Sequence, residues 1–214
     1  MQSLLVSRRH FLALPLLPLR SAAAAQIQRP TYELGDWWLY DWELNGQRRR
    51  RRAEVVDIRT SDLTLRWAPK GQPGIDERRS LQLNAYDTDS QEIEQLQFPL
   101  LVDKEWKSKF RWKSGDGSTG SSRVNRVAAG EDNVQVPAGL FNCVRVDVEG
   151  WWYGDGGSDS NCILPTGPMQ EKYWYSPAAK AIVKFVAESF QPICGKNQRK
   201  TYELRYELFR YEVR

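Results

Sequence analysis

From Pro30 onward the chain reads as short alternating segments, rich in aromatic and β-branched residues, each ended by a turn signal. That rhythm constrains the fold more than any other feature, because a period of two places alternate side chains on opposite faces of a sheet. Residues 32–44 (YELGDWWLYDWEL) lead into Asn45-Gly46, a strong hairpin signal. The return strand, near 50–59, carries Ala53, Val55 and Val56 among charges, and Leu63, Leu65 and Trp67 alternate after a turn at Ser61-Asp62. Beyond the Pro/Gly loop at 69–74, Leu81 and Leu83 mark a half-buried strand. Trp106, Phe110 and Trp112 mark another. Strands near 123–136 and 140–153 meet at Pro137-Ala138-Gly139. Segments near 171–176, 181–190 and 200–212 close the chain. One helix is expected over residues 89–97, capped by Ser90, with Ile93 and Leu96 on one face. The reading is mostly β, about nine or ten strands as a sandwich, barrel or curved sheet, with one or two short helices.

The first 25 residues stand apart from this pattern. Arg8 and Arg9 precede a short apolar run, residues 11–19 (FLALPLLPL), and the small side chains of residues 22–25 suit a signal peptidase. The run is far shorter than the roughly 20 residues a membrane span requires. Residues 7–12 (SRRHFL) match the twin-arginine export pattern, against the alternative of an ordinary secretory signal. We therefore expect a signal peptide over 1–25 and a single β domain over 26–214, periplasmic or secreted, with no transmembrane segment. No cysteine follows the cleavage region, so no lipid anchor is expected.

Removing that segment alters the chemistry available. The whole chain has 31 basic and 27 acidic residues. Three of the arginines and none of the acids lie in 1–25, leaving 28 against 27. A nearly balanced domain lacks the bulk charge for nucleic-acid binding. The only histidine, His10, also leaves. Histidine-based triads and histidine-ligated metals are then out of reach, so no catalytic residue, metal or cofactor is expected.

Three patches resemble a known group. They are Phe98-Pro99-Leu100 followed by Trp106, then residues 134–141 (VQVPAGLF), then residues 173–177 (YWYSP) leading to Ile182-Val183-Lys184-Phe185 and Tyr202-Glu203-Leu204. Together they resemble the TapB-like secreted bacterial domains of unknown function. Two departures stand out: Asp103 where that group has glycine, and Leu140 where it has threonine. The resemblance implies a single antiparallel, strongly curved sheet, a half-barrel or open barrel similar to the carriers LolA and LolB. It implies no activity.

The aromatic side chains are the main functional signal. Trp37, Trp38, Trp42, Trp151, Trp152 and Trp174 lie in strands, and adjacent pairs must face opposite ways. A concave aromatic face would hold a lipid or other apolar ligand, a flat wet one would stack sugar rings, and a covered one would simply be core. The five arginines 48–52 alternate faces and read as a solvated strand edge. Acids such as Asp87, Asp89, Glu92, Glu94, Asp155 and Asp159 offer pairs for glycoside chemistry only at a suitable separation across a cleft. The loop 154–159 lacks the ligand spacing of an EF-hand. Three readings stay open: a non-catalytic carrier-like binding protein, an envelope interaction module without a ligand, and a carboxylate-dependent glycan-acting or glycan-binding protein. Among the cysteines, Cys143 shares strand parity with Phe141 and should be buried and free. Cys162 and Cys194 lie in polar loops and should form a disulfide in an oxidising compartment.

The export reading predicts that changing both Arg8 and Arg9 to Lys leaves the precursor in the cytoplasm. Cell fractionation checks this, and export at the normal rate would assign the general secretory route.

Overall fold

A computed structural model of the chain describes residues 26–69, 72–115, 117–156, 165–193 and 196–214. The signal segment, with Arg8 and Arg9, and both Cys162 and Cys194 lie outside the described residues. Ten strands form: β1 (Trp37–Leu44), β2 (Gln47–Ile58), β3 (Asp62–Pro69), β4 (Ile75–Ser80), β5 (Glu105–Lys113), β6 (Thr119–Val136), β7 (Gly139–Gly154), β8 (Thr166–Ser176), β9 (Ala181–Ile193) and β10 (Lys196–Glu212). They make one curved, open antiparallel sheet in the order β4-β3-β2-β1-β10-β9-β8-β7-β6-β5. No helix of the described residues is long and apolar enough to cross a membrane.

Local chemistry sets the hairpins. Asn45 and Gly46 both take positive φ (47° and 80°), the geometry of a two-residue turn, and Leu44 pairs with Gln47 across it. Gly139 (φ 135°) closes the turn from β6 to β7, where Val136 pairs with Gly139. Asp103 has φ 67°, the left-handed backbone that favours glycine and that aspartate tolerates better than most residues. A bulge between Ala128 and Gly130 changes the parity of the long β6–β7 hairpin. The extra residue is on β6, so β7 keeps its alternation: Val144, Val146 and Val148 join one apolar cluster, while Phe141 and Cys143, of opposite parity and nearer the tip, join the other.

Because β4 and β5 are opposite edges of the sheet yet consecutive in the chain, residues 81–104 must cross from one edge to the other. This strap overturns the expected helix at 89–97. The segment is extended, with isolated antiparallel bridges Arg79↔Ala85 and Tyr86↔Glu92. Asp87 Oδ1 accepts the backbone N–H groups of Asp89 (2.9 Å) and Gln91 (2.8 Å), and Ser90, the expected cap, has φ 62°. Extended chain covers about twice the distance per residue that a helix does, and the span requires it. Leu81 and Leu83 are likewise not in a strand: β4 ends at Ser80, and Leu83 has φ 62°.

Asn84, 0% exposed, fastens the strap. Its Nδ2 donates to Leu96 O and Glu92 Oε1 (both 2.7 Å), and its Oδ1 accepts from Leu96 N (2.8 Å). Ser80 Oγ donates to the same Glu92 oxygen (2.7 Å), and Trp106 Nε1 donates to Glu94 O (2.7 Å). Tyr173 OH donates to Gln95 O, and Lys104 Nζ to Gln97 O and Pro99 O (2.7 and 3.0 Å). Leu96 and Leu100 are thereby buried against the sheet.

Asn84→Ala leaves a buried backbone N–H and C=O of Leu96 without partners. At about 1–3 kcal/mol for each group left unsatisfied, it should destabilise the fold by roughly 3 kcal/mol in urea titration. Asp89→Ala on the exposed turn of the same strap should stay within about 0.5 kcal/mol of the wild type.

Candidate functional site

Strand register assembles the site. Trp42 of β1 lies opposite Tyr206 of β10, Tyr206 opposite Phe185 of β9, and Phe185 opposite Tyr173 of β8. The four rings form one row across four strands. Their centroids are 5.1, 4.9 and 6.0 Å apart, and successive rings are tilted by only 11°, 3° and 14°. Directly opposed cross-strand rings of this kind stabilise a sheet and stiffen its surface. On a neighbouring row Trp67, Ala53, Trp38 and Tyr211 are paired across β3, β2, β1 and β10, the small Ala53 between two indoles.

Between this inner face and the strap lies a cavity of about 280 Å³. Every strand except β7 contributes to its wall, and Leu83, Ile93 and Leu96 of the strap cover it. The half-buried rings of Trp42, Trp67, Phe110 and Tyr206 line it, and Trp42, Trp67 and Arg79 are shared with an outer hollow of about 320 Å³. The Arg51 guanidinium sits over that rim, 5.2 Å from the Trp42 ring and 5.5 Å from the Trp67 ring.

The cavity is apolar apart from a few groups. Arg126, 1% exposed, donates to Ser108 Oγ, and its Nε has no partner. Glu171 is the one carboxylate of the described residues on the wall, and its Oε2 also lacks a partner. Burial pushes the Glu171 carboxyl above the usual carboxylate range, with Arg126 opposing the shift. Burial likewise raises the Tyr206 phenol.

The six expected tryptophans separate into different environments. Trp38 and Trp42 line the cavity, Trp38 as a 1%-exposed residue whose Nε1 donates to Ala179 O (2.7 Å). Trp37, of opposite parity, donates to Glu212 (3.2 Å) under the Arg52 guanidinium. Trp174 donates to Asp132 Oδ2 (2.8 Å) beside Lys184. Trp152 donates to Phe190 O (3.0 Å) over Gly167, where any Cβ would strike that carbonyl. Trp151 is 46% exposed. Only two of the six therefore meet at the cavity, and Tyr206, Phe185, Trp67, Phe110, Arg126 and Glu171 join them. The signal for the missed residues was parity combined with register: Tyr206 and Phe185 are in-phase members of their strands, but only pairing aligns them with Trp42.

The arginine run divides by face as expected. Arg48, Arg50 and Arg52 pair with Glu43 (2.9 Å), Asp41 (2.7 Å) and Glu54 (3.1 Å), while Arg51 turns to the aromatic rim. The edge reading holds for residues 48–50, which pair with β1 alone. It fails for Arg51 and Arg52, which also pair with β3. Of the acids considered for catalysis, Asp159 lies outside the described residues, and Glu92, Asp87 and Asp155 are engaged elsewhere. Glu92 holds Ser80 and Asn84, Asp87 accepts three backbone N–H groups, and Asp155 binds Arg111 and Thr119 (both 2.7 Å). Among the described residues no cluster of histidine, cysteine, aspartate or glutamate is arranged to hold a metal.

Fold and site together define a curved, open antiparallel sheet whose inner aromatic face is closed by a crossing strap. No protein-family model matches the chain, and no curated protein matches it in sequence. Among solved structures, it is similar to a candidate lipoprotein of Parabacteroides distasonis (10% identity, 90% of this chain and 100% of that one, TM-score 0.47). It is also similar to a candidate exported protein with a YmcC-like fold from Bacteroides fragilis (15%, 88% and 100%, 0.48). A third is the hypothetical lipoprotein YmcC of Escherichia coli (11%, 82% and 84%, 0.48).

Cys143 is buried and free, as its parity with Phe141 implied. Burial pushes its thiol up to about 12, with Asp132 adding to the shift. The thiolate is the reactive form, so Cys143 should resist iodoacetamide at pH 8 in the native protein and react on unfolding. Peptide mass mapping reads this directly, and rapid native labelling of Cys143 would contradict it.

Proposed function

We propose that this chain is a non-catalytic binding protein of the extracytoplasmic space that holds an apolar ligand between its inner sheet face and the strap. The observation that carries the reading is the cavity walled by the Trp42–Tyr206–Phe185 ring row. Concave, largely apolar sites with a few convergent polar groups are the usual form of small-molecule sites. At about 280 Å³ this one is just below their common range of roughly 300–1,000 Å³, so it suits a single slender chain. Its location outside the cytoplasm is supported by the N-terminal segment with Arg8, Arg9 and the small residues of 22–25. A glycosidase would need two carboxyl groups facing each other, about 5–9.5 Å apart, and among the described residues Glu171 is the one acid on the cavity wall.

The environmental probe N-phenyl-1-naphthylamine should bind with saturable fluorescence enhancement. Trp42→Ala, which opens the ring row, should weaken it about fivefold or more, since a buried aromatic contact contributes about 1 kcal/mol beyond its area. Trp174→Ala, away from the cavity, should bind as the wild type does. Absence of saturable binding by this probe and by a panel of single-chain lipids would leave the interaction-module reading.

A further inference from the structure

The inner face of a half-buried sheet is expected to be apolar, and three charged side chains on the cavity wall break that rule: Arg79, which pairs with Glu77 (2.9 Å), and Arg126 and Glu171, which have no such partner among the described residues. Arg126 of β6 lies opposite Val148 of β7, and Val148 lies opposite Glu171 of β8. Arg126 and Glu171 therefore occupy one row, two strands and about 10 Å of backbone apart. Both line the cavity, and each has a buried polar atom without a partner. No carboxylate of the described residues stands within ion-pair distance of Arg126. Burying a guanidinium without a counter-charge is costly, and a structural role is better served by an apolar residue of similar volume. The row next to it, Tyr173, Phe185 and Tyr206, shows that this sheet fills such positions with rings elsewhere.

We propose that Arg126 and Glu171 are the head-group site of the cavity, and that the ligand is a medium-chain amphiphile ending in a carboxylate. This inference rests on the apolar-ligand reading and adds the ligand's polar end. The carboxylate accepts from Arg126 Nε, supplying the missing counter-charge, and the tail lies along the ring row toward Trp42. A carboxylate fits better than a phosphate because its single negative charge matches the single positive charge of the Arg126 guanidinium. Glu171, whose carboxyl burial favours in its protonated form, then donates to the ligand's second oxygen.

Calorimetric titration of the full mature chain with three probes sharing one tail tests this: decanoate, decanol and decyltrimethylammonium. The wild type should bind decanoate about tenfold or more tighter than decanol, the scale of a charge-assisted hydrogen bond, and bind the cation least. Arg126→Gln should erase the preference for decanoate over decanol, with circular dichroism confirming the fold. If Arg126→Gln does not fold, the ranking of the three probes by the wild type decides alone. Equal binding of decanoate and decanol would overturn the acid-head assignment and leave the apolar-ligand reading standing. Failure of all three, together with failure of N-phenyl-1-naphthylamine, would overturn both.

Discussion

The architecture depends on the tie that Asn84 makes to Leu96. A single open sheet cannot bury an inner face by itself, and its edges, β4 and β5, are joined by the chain that covers that face. The strap has no ladder of its own beyond isolated bridges, so its backbone polar groups need partners from side chains. Asn84 supplies a donor and an acceptor to one buried residue and a second donor to Glu92. An amide can do this where a hydroxyl or a carboxylate cannot, because it offers both polarities in a fixed plane. With Leu96 fixed, Leu100 and Trp106 close over Val124, Val144 and Val146, and the second apolar cluster is sealed.

Fixing the strap also decides that a cavity remains under it. A continuous helix laid in the concavity would present a ridge of side chains to fill the space. The extended strap is thinner, and its inward residues Leu83, Ile93 and Leu96 reach only part of the way. The ring row beneath cannot relax upward, since each ring is held by its strand register and its stacked neighbours. Stiff walls and a narrow lid together leave space that a flexible core would have filled.

Much of the sheet was legible in the sequence because each strand announces itself locally. Asn45-Gly46, Pro137-Ala138-Gly139 and Pro177 fix where strands end, and alternation fixes which residues share a face. The burial of Phe141 and Cys143 followed from parity alone. The helix at 89–97 failed because the apolar spacing of Ile93 and Leu96 fits a helix face as well as it fits two contacts of an extended strap. Only the edge-to-edge strand order distinguishes them, and that order is a long-range fact. The tryptophans could not be sorted by face and partner locally for the same reason. Trp37 and Trp174 look like Trp42 in composition, yet register gives them Glu212 and Asp132 as partners on the other face. Arg126 was the least legible, since nothing local distinguishes it from the paired arginines of β2.

The outer face explains why the inner polar groups carry the functional argument. There the charges neutralise one another across strands, Asp41 with Arg50, Arg145 with Asp132, Lys184 with Glu207 and Lys200 with Glu188, and along β7, Arg145 with Asp147. Such exposed pairs contribute little to stability. What they do is cover the outer surface of the sheet with charge, which disfavours pairing with other chains. On that surface a charged residue is the rule and needs no further role. On the inner face, where Tyr173, Phe185 and Tyr206 occupy the adjacent row, Arg126 and Glu171 have no ion pair among the described residues, whereas Arg79 on the same wall pairs with Glu77 (2.9 Å).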